Sequence, residues 1–123
     1  MLILDATNKS LQIKLSGAGV IPFTTHYADI TTTAFTPASA DGYTSGGTPV
    51  AIVAAPAGST QRQVKAITVL NTTAGTLSVY IELVDNTAIY RMVGPAIAAG
   101  EMLQYIDTNG WNVMTSDGII KMG

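Results

Sequence analysis

The sequence predicts an all-β fold, a single antiparallel β-sandwich domain over residues 1–123. Three observations predict it. Short runs alternate apolar and polar residues with the period of two expected of half-buried strands. Turn signals rich in Gly, Pro, Asn and Asp separate these runs at about 8–14-residue spacing, the rhythm of sandwiches and barrels. Threonine contributes 17 residues and glycine 12, against two Phe and one Trp, a mixture that favours extended strands joined by tight turns.

The elements follow in order. Leu11-Gln12-Ile13-Lys14-Leu15 places three apolar side chains on one face and two polar ones on the other. Ser16-Gly17-Ala18-Gly19 breaks the chain, and Thr25 to Phe35 reads as a second strand around the β-branched run Thr31-Thr32-Thr33. Pro37 to Pro49 reads as a surface loop, because Ser, Gly and Asp dominate it. Val50 to Ala54 is a third strand, ending before Pro56. Val64 to Leu70 and Leu77 to Val84 flank Asn71-Thr72-Thr73-Ala74-Gly75, which predicts an antiparallel hairpin between them. In the second run Leu77, Val79, Ile81 and Leu83 share one face, with Ser78, Tyr80, Glu82 and Val84 on the other. Ala88 to Val93 follows the Asp85-Asn86 turn. Glu101 to Asp107 and Trp111 to Thr115 are joined across Thr108-Asn109-Gly110, where Asn-Gly favours a type I′ hairpin. Ser116-Asp117-Gly118 turns the chain into Ile119-Ile120-Lys121. Eight or nine strands fit an eight-strand jelly roll best, with a seven-strand immunoglobulin-like sandwich as the alternative.

Composition closes several classes of function. Six Lys+Arg against eight Asp+Glu give a net charge of −2, without the basic surplus that holds a phosphate backbone, so nucleic acid is not an expected partner. The longest apolar run, Val50 to Ala57, contains Pro56 and is far too short to cross a bilayer as a helix, so no membrane is expected either. The opening Met1-Leu2-Ile3-Leu4-Asp5 has neither the basic nor the long apolar region of a signal peptide, and synthesis and folding in a cytoplasm are expected. With no cysteine there is no disulfide framework, thiolate metal site or thiol nucleophile.

Catalytic signals are weak. His26 is the only histidine, so any imidazole chemistry must pass through it, and its Thr25 and Tyr27 neighbours suit an ordinary strand residue. Glu82 and Glu101 lie in strand-like positions away from likely turns, whereas Asp5, Asp41, Asp85, Asp107 and Asp117 fall at turns or strand ends. Asp107-Thr108-Asn109-Gly110 resembles the start of a calcium loop but lacks the rest of it. Gly17-Ala18-Gly19 has no lysine at phosphate-loop spacing. No enzyme activity, cofactor or metal is expected.

Charged residues make up only 11% of the chain, against roughly 25% in ordinary soluble domains. Strand edges and faces are normally protected by such charges. Some strands also carry apolar residues on both faces: Val64 and Leu70 against Ile67 and Val69, and Tyr90 and Met92 against Ile89 and Val93. Long loops could cover the second set; a partner subunit is the preferred cover.

The segment Gly58-Ser59-Thr60-Gln61-Arg62-Gln63-Val64-Lys65-Ala66-Ile67-Thr68-Val69-Leu70-Asn71, then Gly100-Glu101-Met102-Leu103-Gln104-Tyr105, then Asn109-Gly110-Trp111-Asn112-Val113 with Asp117-Gly118, resembles small β-sandwich structural proteins of tailed bacteriophages. Ser10 to Leu15 and Tyr27 to Thr31 are similar to them as well. The resemblance implies a cofactor-free virion component, either a capsid decoration (cement) protein that bridges capsomers or a tail or fibre part with host-binding capacity. It also implies a homo-oligomer, a dimer or trimer, with the major capsid protein or another virion protein as partner. Beside it, Tyr80, Tyr90, Met92 and Trp111 are candidate contact residues, and Met1 to Lys9, with Leu2 and Leu4, is a candidate N-terminal arm lying across a neighbouring subunit.

Overall fold

A computed structural model describes residues 2–122, and among these there is no helix. Twelve strands follow in chain order: β1 Leu2–Leu4, β2 Lys9–Leu15, β3 Pro22–Ile30, β4 Phe35–Tyr43, β5 Val50–Val53, β6 Gln61–Leu70, β7 Leu77–Asp85, β8 Ala88–Val93, β9 Ala96–Ile97, β10 Met102–Ile106, β11 Gly110–Met114 and β12 Ile120–Met122. They form two antiparallel sheets packed face to face. Sheet A runs β12-β11-β10-β6-β3-β4, with β1 beside the free part of β6. Sheet B runs β5-β2-β7-β8, with β9 beside the start of β7. The expected β-sandwich is therefore the architecture, with a strand order that period-two patterning cannot specify.

The alternation read from Leu11 to Leu15 holds, since Leu11, Ile13 and Leu15 are buried. In β7 the face carrying Val79 and Ile81 is likewise buried, with Leu77 and Leu83 packed against its margins. Sheet A meets these side chains with Phe23, Val64, Ile67, Val69, Leu103, Tyr105 and Val113. Burial of each such aliphatic side chain stabilises the fold by about 1.5–3 kcal/mol before entropy is counted. One polar tie crosses the core: the buried Thr25 hydroxyl of β3 donates to the Ile52 carbonyl of β5 at 3.0 Å, satisfying an edge-strand acceptor.

Five expectations are corrected. The Thr31-Thr32-Thr33 run is a turn between β3 and β4, where Thr31 Oγ1 accepts from the Ala34 amide at 3.1 Å and the Thr33 amide at 3.4 Å. A local side-chain bond to the backbone outweighs β-branched propensity there. Most of the expected Pro37–Pro49 loop is strand β4, paired to β3 from Ile30↔Phe35 to Pro22↔Tyr43. As an edge strand it is exposed on both faces, so it shows no alternation to read. Gly42 lies against the Phe23 ring, where a Cβ would stand 3.0 Å away, tighter than an ordinary contact.

The expected hairpin between β6 and β7 is absent, because the two strands lie in different sheets. Residues 71–75 are a crossover organised by the buried Asn71. Its Nδ2 donates to the carbonyls of Gly75 (2.9 Å) and Ile97 (2.8 Å), and its Oδ1 accepts from Thr73 Oγ1 (2.6 Å) and the Thr73 amide (3.0 Å). Both ends of the side-chain amide are used, which fixes the crossover without a ladder.

The two apolar faces assigned to β6 are regrouped, with Val64 joining Ile67 and Val69 on the core side and Leu70 left on the outer side. Its register against β3 passes from His26↔Ala66 to Tyr27↔Val64, leaving Lys65 as the extra residue of a β-bulge. The bulge inverts the alternation, so Val64, Ile67 and Val69 are all buried on the core side. The β10–β11 hairpin does form, from Met102↔Met114 to Ile106↔Gly110. Its turn places Gly110 at φ +75°, while Asn109 keeps a negative φ, so it is not type I′.

Candidate interaction surface

Side chains directly opposed across a ladder share a face, and neighbours along a strand alternate. Applied to sheet A, the register sets three rows on its outer face. The first runs Tyr43, Pro22, Leu70, Met102, Met114 and Ile120; Tyr43 pairs with Pro22, Leu70 with Met102, Met102 with Met114 and Met114 with Ile120, and Pro22 and Leu70 stand one step beyond the Phe23↔Val69 pair. Every member is apolar or aromatic. Tyr43 and Ile120 at the two ends are 65% and 62% exposed, and the four between are half-buried. The second row is Asp41, Thr24, Thr68, Gln104 and Asn112, with a hydrogen bond between the Thr24 and Thr68 hydroxyls. Asn112 Oδ1 is buried without a hydrogen-bond partner. The third is Ser39, His26, Ala66, Ile106 and Gly110. Asp41 is the only carboxylate or ammonium-type charge in the three rows.

The outer face of sheet B is built differently. One row runs Gln12, Glu82 and Arg91, with Lys14 and Tyr80 opposed in the next. Glu82 is 3% exposed: Oε1 accepts from Gln12 Nε2 at 2.8 Å, and Oε2 lies 3.6 Å from Lys14 Nζ and 3.9 Å from Arg91 Nε. The Arg91 guanidinium stacks 3.8 Å above the Tyr80 ring centroid. Gly94 leaves room for that ring, since a Cβ there would lie 2.9 Å from it. This face satisfies its own charges.

Several of the other carboxylates are occupied in structural ties. Arg62 grips Asp29 through Nε (2.7 Å) and Nη2 (3.0 Å), donates from Nη1 to the Ala54 carbonyl (2.8 Å) and lies over the Tyr27 ring. The guanidinium holds the Asp29 carboxyl below its ordinary range. Glu101 accepts from the Ala98 amide at 2.8 Å and from Lys121 Nζ at 3.1 Å, and these bonds, the amide first, lower its pKa. Asp107 lies 3.3 Å from Lys65 Nζ. His26 is exposed in the third row, and among the described residues no cluster of His, Asp and Glu could hold a metal. One recess, of about 330 Å³, is a shallow depression whose one carboxylate, Asp5, pairs with Lys9 at 2.9 Å. The Gly17-Ala18-Gly19 segment is stitched to its neighbour loop, with the Gly46 amide donating to the Gly19 carbonyl and the Leu15 amide to that of Gly46.

The sequence-predicted contact residues scatter over the molecule. Leu4 is buried in the core and Leu2 is half-buried opposite Val64, because β1 pairs antiparallel with β6 of its own chain. The Leu2 amide donates to the Tyr105 hydroxyl at 3.0 Å. The expected arm across a neighbour is thus an internal strand; Met1 lies outside the described residues. Tyr80 is held beneath Arg91, Met92 packs on the core margin, and Trp111 packs on Tyr105 with ring centroids 4.9 Å apart. Tyr90, 57% exposed, is the one of the six open to solvent. The residues that make the sheet A surface, Leu70, Met102 and Met114 among them, were missed because they face outward only once the cross-strand register is known. Their signal was the apolar residue standing next to a core residue in each strand. No family model matches this chain, and no curated protein or solved structure matches it significantly.

Proposed function

We propose that this chain is a non-enzymatic structural component of a tailed-bacteriophage virion, a capsid decoration protein that stabilises the head by bridging capsomers. The observation that supports this reading is the outer face of sheet A: an apolar row across six strands beside two rows holding a single carboxylate. An apolar, nearly uncharged face fits burial against protein, where desolvation of charge would cost free energy and apolar area stabilises the contact.

The partner is the major capsid protein, and the protein, made in the host cytoplasm, resides on the virion. The experiment adds purified protein to shells lacking it and measures their resistance to heat and chelator. Protection is expected for the natural chain, and loss of protection for Met102→Lys, which places a charge mid-row. No binding and no gain in resistance by the natural chain overturns the reading; labelled protein found only at the tail of intact virions moves it to a tail or fibre role.

A further inference from the structure

A sandwich has open sheet edges, and those edges invite strand addition unless they are short, charged or bulged. Three of the four terminal strands here are protected in these ways. β5 has four residues, β12 has three and carries Lys121, and β8 carries Arg91 and a register shift that leaves Met92 as a bulge. β4 is the least protected of the four, with no register shift and only a single charge and a single proline, Pro37, along its length. It is nine residues long, contains one charge, Asp41, and exposes every residue except Ala40 and Gly42, which are half-buried.

The hydrogen-bond parity of its inner edge determines what the outer edge offers. The Thr44 amide donates to the Ile21 carbonyl at one end of the β3–β4 pair and the Thr31 amide to the Ala34 carbonyl at the other, both at 3.0 Å. Bonded and non-bonded pairs alternate along an antiparallel ladder, so Phe35, Pro37, Ser39, Asp41 and Tyr43 occupy non-bonded positions against β3. Their backbone groups point away from the sheet. All five are exposed.

We propose that β4 is a self-association edge, on which a second copy of this chain adds its own β4 antiparallel about a two-fold axis through Ser39. In that register Phe35 faces Tyr43 of the second copy, Pro37 faces Asp41 of the second copy, and the two Ser39 residues face each other. Exposed aromatic side chains, 62% and 65% open in the single chain, are thereby paired at both ends. The only charge on the strand meets a proline rather than its own copy, so no like charges oppose. Pro37 lacks a donor, and only its outward bonds are missing from the new ladder. The pairing is isologous and closes at two copies, and it joins the two sheet A outer faces into one continuous surface. It rests on the geometry of β4 alone and stands whichever macromolecule the outer face contacts.

The chain has no cysteine, so single substitutions report the register cleanly. Sedimentation across a micromolar concentration range is expected to show a dimer. Ser39→Pro, which removes an amide that β3 does not use, is expected to weaken that dimer at least about tenfold while circular dichroism shows the fold retained. Ser39→Cys is expected to form an intermolecular disulfide on mild oxidation, because a bonded antiparallel pair holds its Cα atoms about 5.5 Å apart. Thr36→Cys, whose copies would lie about 20 Å apart along the strands, is expected not to. A monomer throughout the range, a dimer indifferent to Ser39→Pro, or equal cross-linking of the two cysteine variants overturns the proposal. Shell protection by a monomeric Ser39→Pro chain would leave the decoration role standing by itself, and a β4-paired dimer that fails to protect shells would leave the self-association standing by itself.

Discussion

The two outer faces of this sandwich solve the same problem in opposite ways. On sheet B the only strongly shielded carboxylate, Glu82, is enclosed by Gln12, Lys14 and Arg91, and Arg91 is itself stacked on Tyr80. On sheet A the corresponding centre holds Thr24, Thr68 and Gln104 beside an apolar row from Tyr43 to Ile120. A face that closes its own electrostatics is finished in the free chain. A face that presents half-buried Leu70, Met102 and Met114 with no charge among them leaves apolar area open in the free chain, the feature on which the proposed role rests. The low overall charge of the protein is therefore concentrated on one surface rather than spread evenly.

The sheets should behave alike inside and differently outside. Ile67→Ala on sheet A and Ile81→Ala on sheet B remove fully buried side chains, and each is expected to lower unfolding free energy in denaturant by about 2–5 kcal/mol. A large inequality would show that one sheet carries the core alone. Glu82→Ala is expected to cost about 1–3 kcal/mol, because Gln12 and two cations lose a shared acceptor, and to leave shell protection intact.

Asp29→Asn tests the rim between the faces. The folded carboxyl titrates below its ordinary value of 3.8, so on acidification the unfolded chain takes up the proton first. The pair's stabilisation is fully present above that value and is lost as pH falls through the folded pKa. The variant is expected to lose about 1 kcal/mol at neutral pH and to show a shallower decline in stability below about pH 4. The smallest effect on folding belongs to the paired substitution Leu70→Gln with Met102→Gln, expected within about 0.5 kcal/mol in the free chain yet abolishing shell protection. A loss as large as that of Glu82→Ala would make the sheet A face structural, and the contrast between the faces would collapse.

Where alternation was clean the strands were legible from the residues: Leu11, Ile13 and Leu15 are buried as their pattern assigns, and from Leu77 to Val84 the assigned face buries Val79 and Ile81 with Leu77 and Leu83 at its margins. β4 was illegible because an exposed edge strand has no buried face to impose a period. The β6–β7 connection misled because Asn71 to Gly75 has the length and glycine of a hairpin loop, and only the Asn71 bonds to Gly75 and Ile97 reveal the crossover. Of the six candidate contact residues, the structure uses Leu2 and Leu4 to complete its own sheet, since a short apolar strand is stabilised as well by its own β6 as by a neighbour's.

By itself the sequence determined the class of fold and the scarcity of charge, because period-two burial and composition are local properties that survive in any arrangement of strands. The tertiary structure alone decided where that scarcity matters. The Lys65 bulge gathered Val64, Ile67 and Val69 onto one core face, and the register of β4, β3, β6, β10, β11 and β12 aligned Tyr43 through Ile120 on the other side. Residues as far apart in the chain as Pro22 and Leu70 become neighbours on a surface only when strand order and register are set, and those are decided by non-local pairing that no window of sequence contains.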